Sequence, residues 1–263
     1  MIISVAHSPP VVKSLQDLTI IEAWDSETNA PKYVTFYYIN HDEHVYFGQS
    51  SKNKRDITLD EYSAALKPVR DDELYPTIPT DVSLTIAPAD LDDHTAFVKR
   101  PGFVCYEEMK GTSYIPSVLL NETIIMETIS ELPHPNIVKY YGCRIQRGRI
   151  TAIVLEQLEW TLTQYVHMPD FQQLSQVRFI ADLQSAVDHL HSLGLAHNDI
   201  SPDNIMIRNG QPILIDLGSC QPFGNHLQSL GTLGWCKETF FTSEQEHDAY
   251  SMDKLRTWLQ DPE

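Results

Sequence analysis

LAHNDISPDNIMIRNGQPILIDLGSC, running from Leu195 to Cys220, carries two clusters of oxygen-bearing side chains at a fixed separation. His197-Asn198-Asp199 is followed by Asn204, five residues past Asp199. Asp216-Leu217-Gly218 comes directly after the apolar run Pro212–Ile215. Between the clusters, Asn209-Gly210 suits the tight turn of a β-hairpin. A carboxylate such as Asp199 accepts or orients the proton of a hydroxyl group. An amide oxygen (Asn204) and a second carboxylate (Asp216) are hard ligands of the kind Mg²⁺ prefers. Phosphoryl transfer from a nucleotide needs this combination. Either cluster alone reads equally well as an acidic turn beside a strand; together they do not.

Working outward, further segments fall into order. His134-Pro135-Asn136-Ile137-Val138-Lys139-Tyr140-Tyr141-Gly142 precedes a strand, and Ile153-Val154-Leu155-Glu156 forms another. Phe171–Leu193 places Leu174, Val177, Ile180, Leu183, Val187 and Leu190 at helical spacing, with Gly194 as the stop. Gly231-Thr232-Leu233-Gly234-Trp235 follows, and Asp248 opens a last amphipathic helix with Ala249, Met252, Leu255 and Leu259. From about Ala96 to Leu259 this succession resembles the protein kinase superfamily. His197–Asn204 matches its H-x-D-x-x-x-x-N catalytic loop, and Asp216-Leu217-Gly218 stands where D-F-G would. KRPG, PHPNIVKYYGC, LGLAHNDISPDN and GTLGW together resemble a short kinase-like group of fungi.

The resemblance implies an α+β, two-lobed protein-kinase-like fold with a truncated C-terminal lobe and an N-terminal extension. The extension spans 1–90, the small lobe and hinge 91–158, and the large lobe 159–263. It implies ATP and Mg²⁺ as cofactors, Asp199 as the catalytic base, and Asn204 and Asp216 as metal ligands. Leu155 would be the gatekeeper, Glu156 the first hinge residue, Leu158 a further nucleotide contact and Met206 the adenine floor. Met126, Tyr140, His197 and Leu217 should stack in one column.

A nucleotide lysine must precede these motifs on a strand, and Lys99 in Ala96-Phe97-Val98-Lys99 is the candidate. Its carboxylate partner belongs on the next helix, whose apolar stripe runs Val118, Ile125, Ile129, Leu132. Glu122 falls inside that stripe and Glu127 outside it. A carboxylate facing the core needs a partner to offset its desolvation, so Glu122 is preferred. An ungapped count back from Ile137 would instead put Ile125 there.

The departures weigh as much as the matches. No glycine lies between Asn53 and Lys99, whereas a glycine-rich loop closes over phosphates because backbone lacking Cβ can approach them. Phe97 stands where alanine lies beneath the adenine. Asn198 replaces an arginine that pairs with activation-segment phosphate, so activity should not depend on phosphorylating Ser219, Ser229 or Thr232. Ser201 replaces a lysine near the γ-phosphate, so Ser201→Lys should raise the rate. Cys236-Lys237-Glu238 stands in for A-P-E, and the chain stops at Glu263, soon after the Asp248 helix. Three functions follow: a Ser/Thr-type protein kinase, a pseudokinase acting as a binding scaffold, or a small-molecule phosphotransferase.

Composition narrows the partners. The 263 residues carry 19 basic and 36 acidic side chains, a net charge of −17. With no basic cluster, nucleic acid and anionic membrane are disfavoured, leaving a protein substrate or partner; the oligomeric state is open. Cys105, Cys143, Cys220 and Cys236 form no C-x-x-C pair and read as reduced thiols of an intracellular protein, cytoplasmic or nuclear. Met1–Ala6 is apolar but lacks a basic leader and meets Pro9-Pro10, unlike a secretory signal. Near the N-terminus, Lys32–Ile39 and His44–Phe47 read as an aromatic-rich hairpin that packs the extension against the small lobe or docks a partner. Thr58-Leu59-Asp60-Glu61 reads as a capping box opening a helix to Leu66. Pro76, Pro79, Pro88 and the acidic run Asp90–Asp93 read as an extended connector.

Overall fold

The computed structural model describes residues 10–25, 30–91, 95–229 and 231–262. The apolar opening Met1–Ala6, Asp92 and Asp93 of the acidic run, and Glu263 lie outside them. The chain condenses into two compact units. One holds residues 10–78, 101–117 and 145–151, and the other holds 79–100, 118–144 and 152–262. These units cut across the sequence boundaries at 90 and 158. The segment following Lys99 groups with the extension, while the Lys99 strand groups with the large-lobe elements.

The first unit is built on an antiparallel sheet of β1 (Thr19–Asp25), β2 (Ala30–Ile39), β3 (Val45–Ser50) and β4 (Lys67–Pro68), in that order. The expected hairpin is present as β2 and β3, pairing Ile39 with Val45; β1 and β4 extend it. Helix α1 (Leu59–Ala65) starts at the expected capping box, Thr58 and Glu61 each capping the other's backbone. Tyr62 of α1 meets Phe36 edge-on at 4.7 Å, beside Leu18, Val34, Ile57 and Leu66. The remaining hairpin rings are not a free surface. Tyr37 packs on Phe103 at 4.8 Å and Phe47 on Tyr106 at 4.7 Å, and both partners belong to the same unit. Short helices α2 (Asp71–Leu74) and α3 (Tyr106–Met109) join through the Tyr106 hydroxyl, which donates to Glu73 at 2.7 Å.

The second unit holds β5 (Ala96–Lys99) and most of β6 (Tyr140–Gln146) and β7 (Arg149–Glu156), which form a sheet in the order β5-β7-β6. Helix α4 (Tyr114–Ser130) carries Glu122. Its buried face is Leu119, Glu122, Ile125, Met126 and Ile129, whereas Leu132 lies past the helix end and is exposed. The proline-rich connector is extended, and Thr85 and Ala87 bond both backbone groups of Cys143. A second sheet orders β8 (Trp160–Thr161), β10 (Ile205–Arg208) and β11 (Gln211–Leu214) as β11-β10-β8, and a small pair joins β9 (Leu195–Ala196) to β12 (Gln221–Pro222). After the short α5 (Leu162–Tyr165), the long helix is α6 (Gln176–Ser192). It starts five residues later than its apolar pattern suggests, because Pro169–Gln173 forms a separate turn. Val177 is consequently 85% exposed, and Phe179 takes its place in the core. Helix α7 (Gln245–Trp258) starts three residues before Asp248, and this places Asp248 in its first turn, buried, with Ala249 facing out.

Gly142 shows why one backbone position admits no side chain. At φ 125°, a Cβ there would lie 2.6 Å from both Ala87 N and Thr85 O. We expect Gly142→Ala to cost about 2 kcal/mol, lowering the melting temperature by roughly 4–8 °C. Gly148→Ala, at φ 72° in open space, should cost about 1 kcal/mol. Thermal denaturation of the two variants checks the ranking.

Candidate active site

Register places the lysine. β5 pairs antiparallel with β7, Lys99 opposite Ile153 and Phe97 opposite Leu155. Alternation along a strand then puts Phe97 and Lys99 on one face. Lys99 Nζ donates to Glu122 Oε1 at 2.6 Å and to Asp216 Oδ1 at 2.8 Å. Glu122, rather than Glu127, is therefore the lysine's helical partner. Glu127 instead accepts from the Tyr140 hydroxyl and from Thr85. Burial alone would push the Lys99 ammonium down, but the two carboxylates outweigh it and hold it above the ordinary lysine value. Desolvation drives Glu122 up faster than Lys99 pulls it down. Desolvation would also raise Asp216, yet the Lys99 contact dominates and leaves it below the ordinary carboxylate value.

The catalytic-loop candidates are locked by their neighbours. The His197 ring donates from Nε2 to the Ile215 carbonyl at 2.9 Å, and its Nδ1 accepts from the Asp199 amide at 3.3 Å. Asn204 Nδ2 donates to the Asp199 backbone carbonyl at 2.8 Å and to Asp199 Oδ2 at 2.9 Å. Both Nδ2 bonds fix the amide orientation, so Asn204 Oδ1 is the atom turned away from Asp199. Thr232 gives its amide and its hydroxyl to Asp199 Oδ1, each at 2.7 Å. Asp216, at φ 58°, accepts from Gly218 N and Lys99 through the same Oδ1. One amide oxygen and one carboxylate oxygen thus remain as hard donors. That set fits a divalent cation such as Mg²⁺.

Sequence reasoning missed three features of this region. Asp248 has no exposed surface and accepts from His197 N at 2.9 Å, Asn198 N at 2.8 Å and His191 Nε2 at 2.9 Å. The signal is present in the sequence, an acid at an apolar-spaced position, but Asp248 reads there only as the residue that opens the last helix. Asn198, at φ 63°, directs its Nδ2 to Ala196 O, Ser219 O and Ser243 Oγ, a role no motif foretells. Thr232 counts in the sequence only as a phosphorylation site that activity can do without, yet its two bonds to Asp199 make its hydroxyl part of the site. Ser201 is also corrected. It is fully buried, and its Oγ has no hydrogen-bond partner among the described residues. A lysine there would start from the interior, so Ser201→Lys is not expected to raise any rate.

Leu155, Glu156, Leu158 and Met206 line one cavity of about 310 Å³ together with Phe97, Lys99, Val138, Asn204, Ile215 and Asp216. The Glu156 carboxylate receives Lys139 N at 2.8 Å and Arg208 Nη1 at 2.8 Å. Met126, His197 and Leu217 are buried and Tyr140 half-buried. A larger cavity of about 750 Å³, bordered by Trp160, Tyr165 and Arg178, contains none of Lys99, Asp199, Asn204 or Asp216.

This constellation defines a class, and sequence comparison agrees. A family-wide profile of the protein kinase domain matches residues 104–252, more than half of the chain, starting just after Lys99. The chain belongs to the protein kinase superfamily. It is 31% identical over 111 residues to the serine/threonine-protein kinase PknG of Mycolicibacterium smegmatis, covering 41% of this chain and 15% of that protein. It is 32% identical over 117 residues to the human serine/threonine-protein kinase/endoribonuclease IRE2, covering 39% and 12%. The MAP kinase kinase kinase SSK2 of Saccharomyces cerevisiae matches at 29% over 132 residues, covering 48% and 8%. The chain thus spans roughly a tenth of the length of these relatives.

Two outcomes test the site's electrostatics. Lys99→Met alone should destabilise by about 3 kcal/mol because Glu122 is left charged and enclosed, while Lys99→Met/Glu122→Leu should recover most of that loss in a denaturant-melt cycle. The raised Lys99 value keeps its contribution intact below pH 10.5, and it should fade only as pH climbs further. Burial pushes the Cys143 thiol up to about 11 and Cys220 well above its usual value. Alkylation at pH 8, followed by mass spectrometry, should therefore label the half-exposed Cys105 and Cys236 before either.

Proposed function

We propose that this chain transfers the terminal phosphoryl group of ATP to a hydroxyl of a protein substrate. One observation carries the reading: Lys99, Glu122, Asp199, Asn204 and Asp216 converge within one compact unit in two bonded clusters, with Lys99, Asn204 and Asp216 lining a single cavity. Lys99 holds a phosphate oxygen, and Glu122 fixes the direction of the ammonium. Asp199 accepts the proton of the acceptor hydroxyl as the new P–O bond forms, with Thr232 and Asn204 setting its orientation. Asn204 and Asp216 would hold Mg²⁺, which supplies charge neutralisation at the phosphates. The Ser/Thr specificity named for the relatives supports an alcohol rather than a phenol as acceptor. Four free thiols support a reducing compartment, cytoplasmic or nuclear.

A second reading, a nucleotide-binding pseudokinase that scaffolds a partner, is favoured by one structural fact. β5 is the end strand of its sheet among the described residues, and no glycine precedes it back to Asn53. Among the described residues no glycine hairpin pairs with β5 to roof the cavity.

A γ-phosphate transfer assay separates the two. Asp199→Asn should lower turnover about 10²–10⁴-fold with nucleotide still bound, and Asp216→Ala should abolish it. Ser229→Ala should change activity by less than about twofold. Thr232→Ala should lower it, because Asp199 loses a hydrogen bond. Binding of nucleotide without measurable transfer by the wild type would favour the scaffold.

A further inference from the structure

We propose that Phe97 is the base-recognition residue of the 310 Å³ cavity: a planar purine stacks on its ring, and affinity comes from the base rather than from the phosphates. This rests on the reading of that cavity as a nucleotide site and deepens it.

The ring is placed for the task. Phe97 shares a face of β5 with Lys99, and both line the cavity. Its side chain is 48% exposed, and it has no aromatic or cationic partner among the described residues. This open face lies at the wall of a cavity lined largely by apolar side chains. The second sheet contributes Met206 to the same cavity, a polarizable thioether suited to aromatic contact. Val138, Leu155 and Ile215 complete an apolar lining. The volume lies at the low end of small-molecule sites, on the scale of a base and ribose.

The phosphate end is poor by comparison. Of the charged residues lining the cavity, one is a cation, Lys99, against Asp203 and Asp216, while the Glu156 carboxylate is held by Arg208. The cation already serves two carboxylates, so a phosphate must compete for it. With no glycine in 54–98, no backbone free of Cβ is available there to wrap the phosphates. Phe97 is thus a substitute for the missing roof: it covers the base from β5 itself. Base–aromatic stacking of this kind tolerates different bases, since each has a π-face.

Calorimetry of adenosine, ADP and ATP, each with Mg²⁺, against wild type, Phe97→Ala and Phe97→Trp tests the proposal. Wild type should bind adenosine within about fivefold of ATP. Phe97→Ala should weaken all three by about tenfold or more, and Phe97→Trp should bind at least as tightly as wild type. The exposed position makes both variants foldable, which unchanged melting temperatures verify. Tighter or unchanged binding by Phe97→Ala would show that the ring crowds or ignores the base, and ATP binding more than about thirtyfold tighter than adenosine would show phosphate-led recognition. Either result overturns the role of Phe97 while leaving the nucleotide site standing. Failure of the wild type to bind any of the three overturns both.

Discussion

The buried carboxylate of Asp248 is the constraint on which the catalytic loop depends. It accepts two successive backbone amides, from His197 and Asn198, and the ring of His191. Without it, the two amides would be enclosed without partners, each costing about 1–3 kcal/mol. Those two amides can converge on one carboxylate because Asn198 sits at φ 63°, a left-handed conformation that asparagine tolerates better than most residues. The turn so formed aims Asp199 toward Asn204 and Thr232. A helix 50 residues downstream thereby sets the geometry of the loop.

The same asparagine ties the loop to the segment after Asp216. Its Nδ2 reaches Ser219 O and Ser243 Oγ, and Ser219 Oγ is bonded to Ser229. These are neutral hydrogen bonds between short side chains and backbone. A phosphate-dependent segment is ordered by charge, through an arginine partner; this one is ordered by amide and hydroxyl contacts already present. Asp199 is likewise satisfied from both sides without any added group.

The parts of the fold that were legible in the sequence were those with a strict period or spacing. Asp199, Asn204 and Asp216 were found from motif spacing, and the Thr58–Glu61 capping box from local chemistry alone. Lys99 and Glu122 required an inference about burial: a carboxylate within an apolar stripe must have a partner, and the 2.6 Å contact supplies it. What stayed hidden depends on long-range placement. Residues 101–117 join the N-terminal unit because Phe103 and Tyr106 pack on Tyr37 and Phe47, a pairing no local pattern encodes. Asp248 reads as the opening residue of its helix because acids at helix starts usually face solvent, whereas the helix begins three residues earlier and turns the residue inward. Val177 falls outside the core because Pro169–Gln173 forms a turn of its own and α6 begins only at Gln176. Ser201 and Thr232 were judged by substitution against a pattern, which says nothing of which way a side chain points.

The central claim is that Asn204 and Asp216 form a divalent-metal site serving a bound nucleotide. Crystals grown with Mn²⁺ and a non-hydrolysable ATP analogue test it through anomalous scattering. The account predicts one peak within bonding distance of Asn204 Oδ1 and the Asp216 carboxylate. A nucleotide bound with no anomalous peak at those two side chains would contradict it.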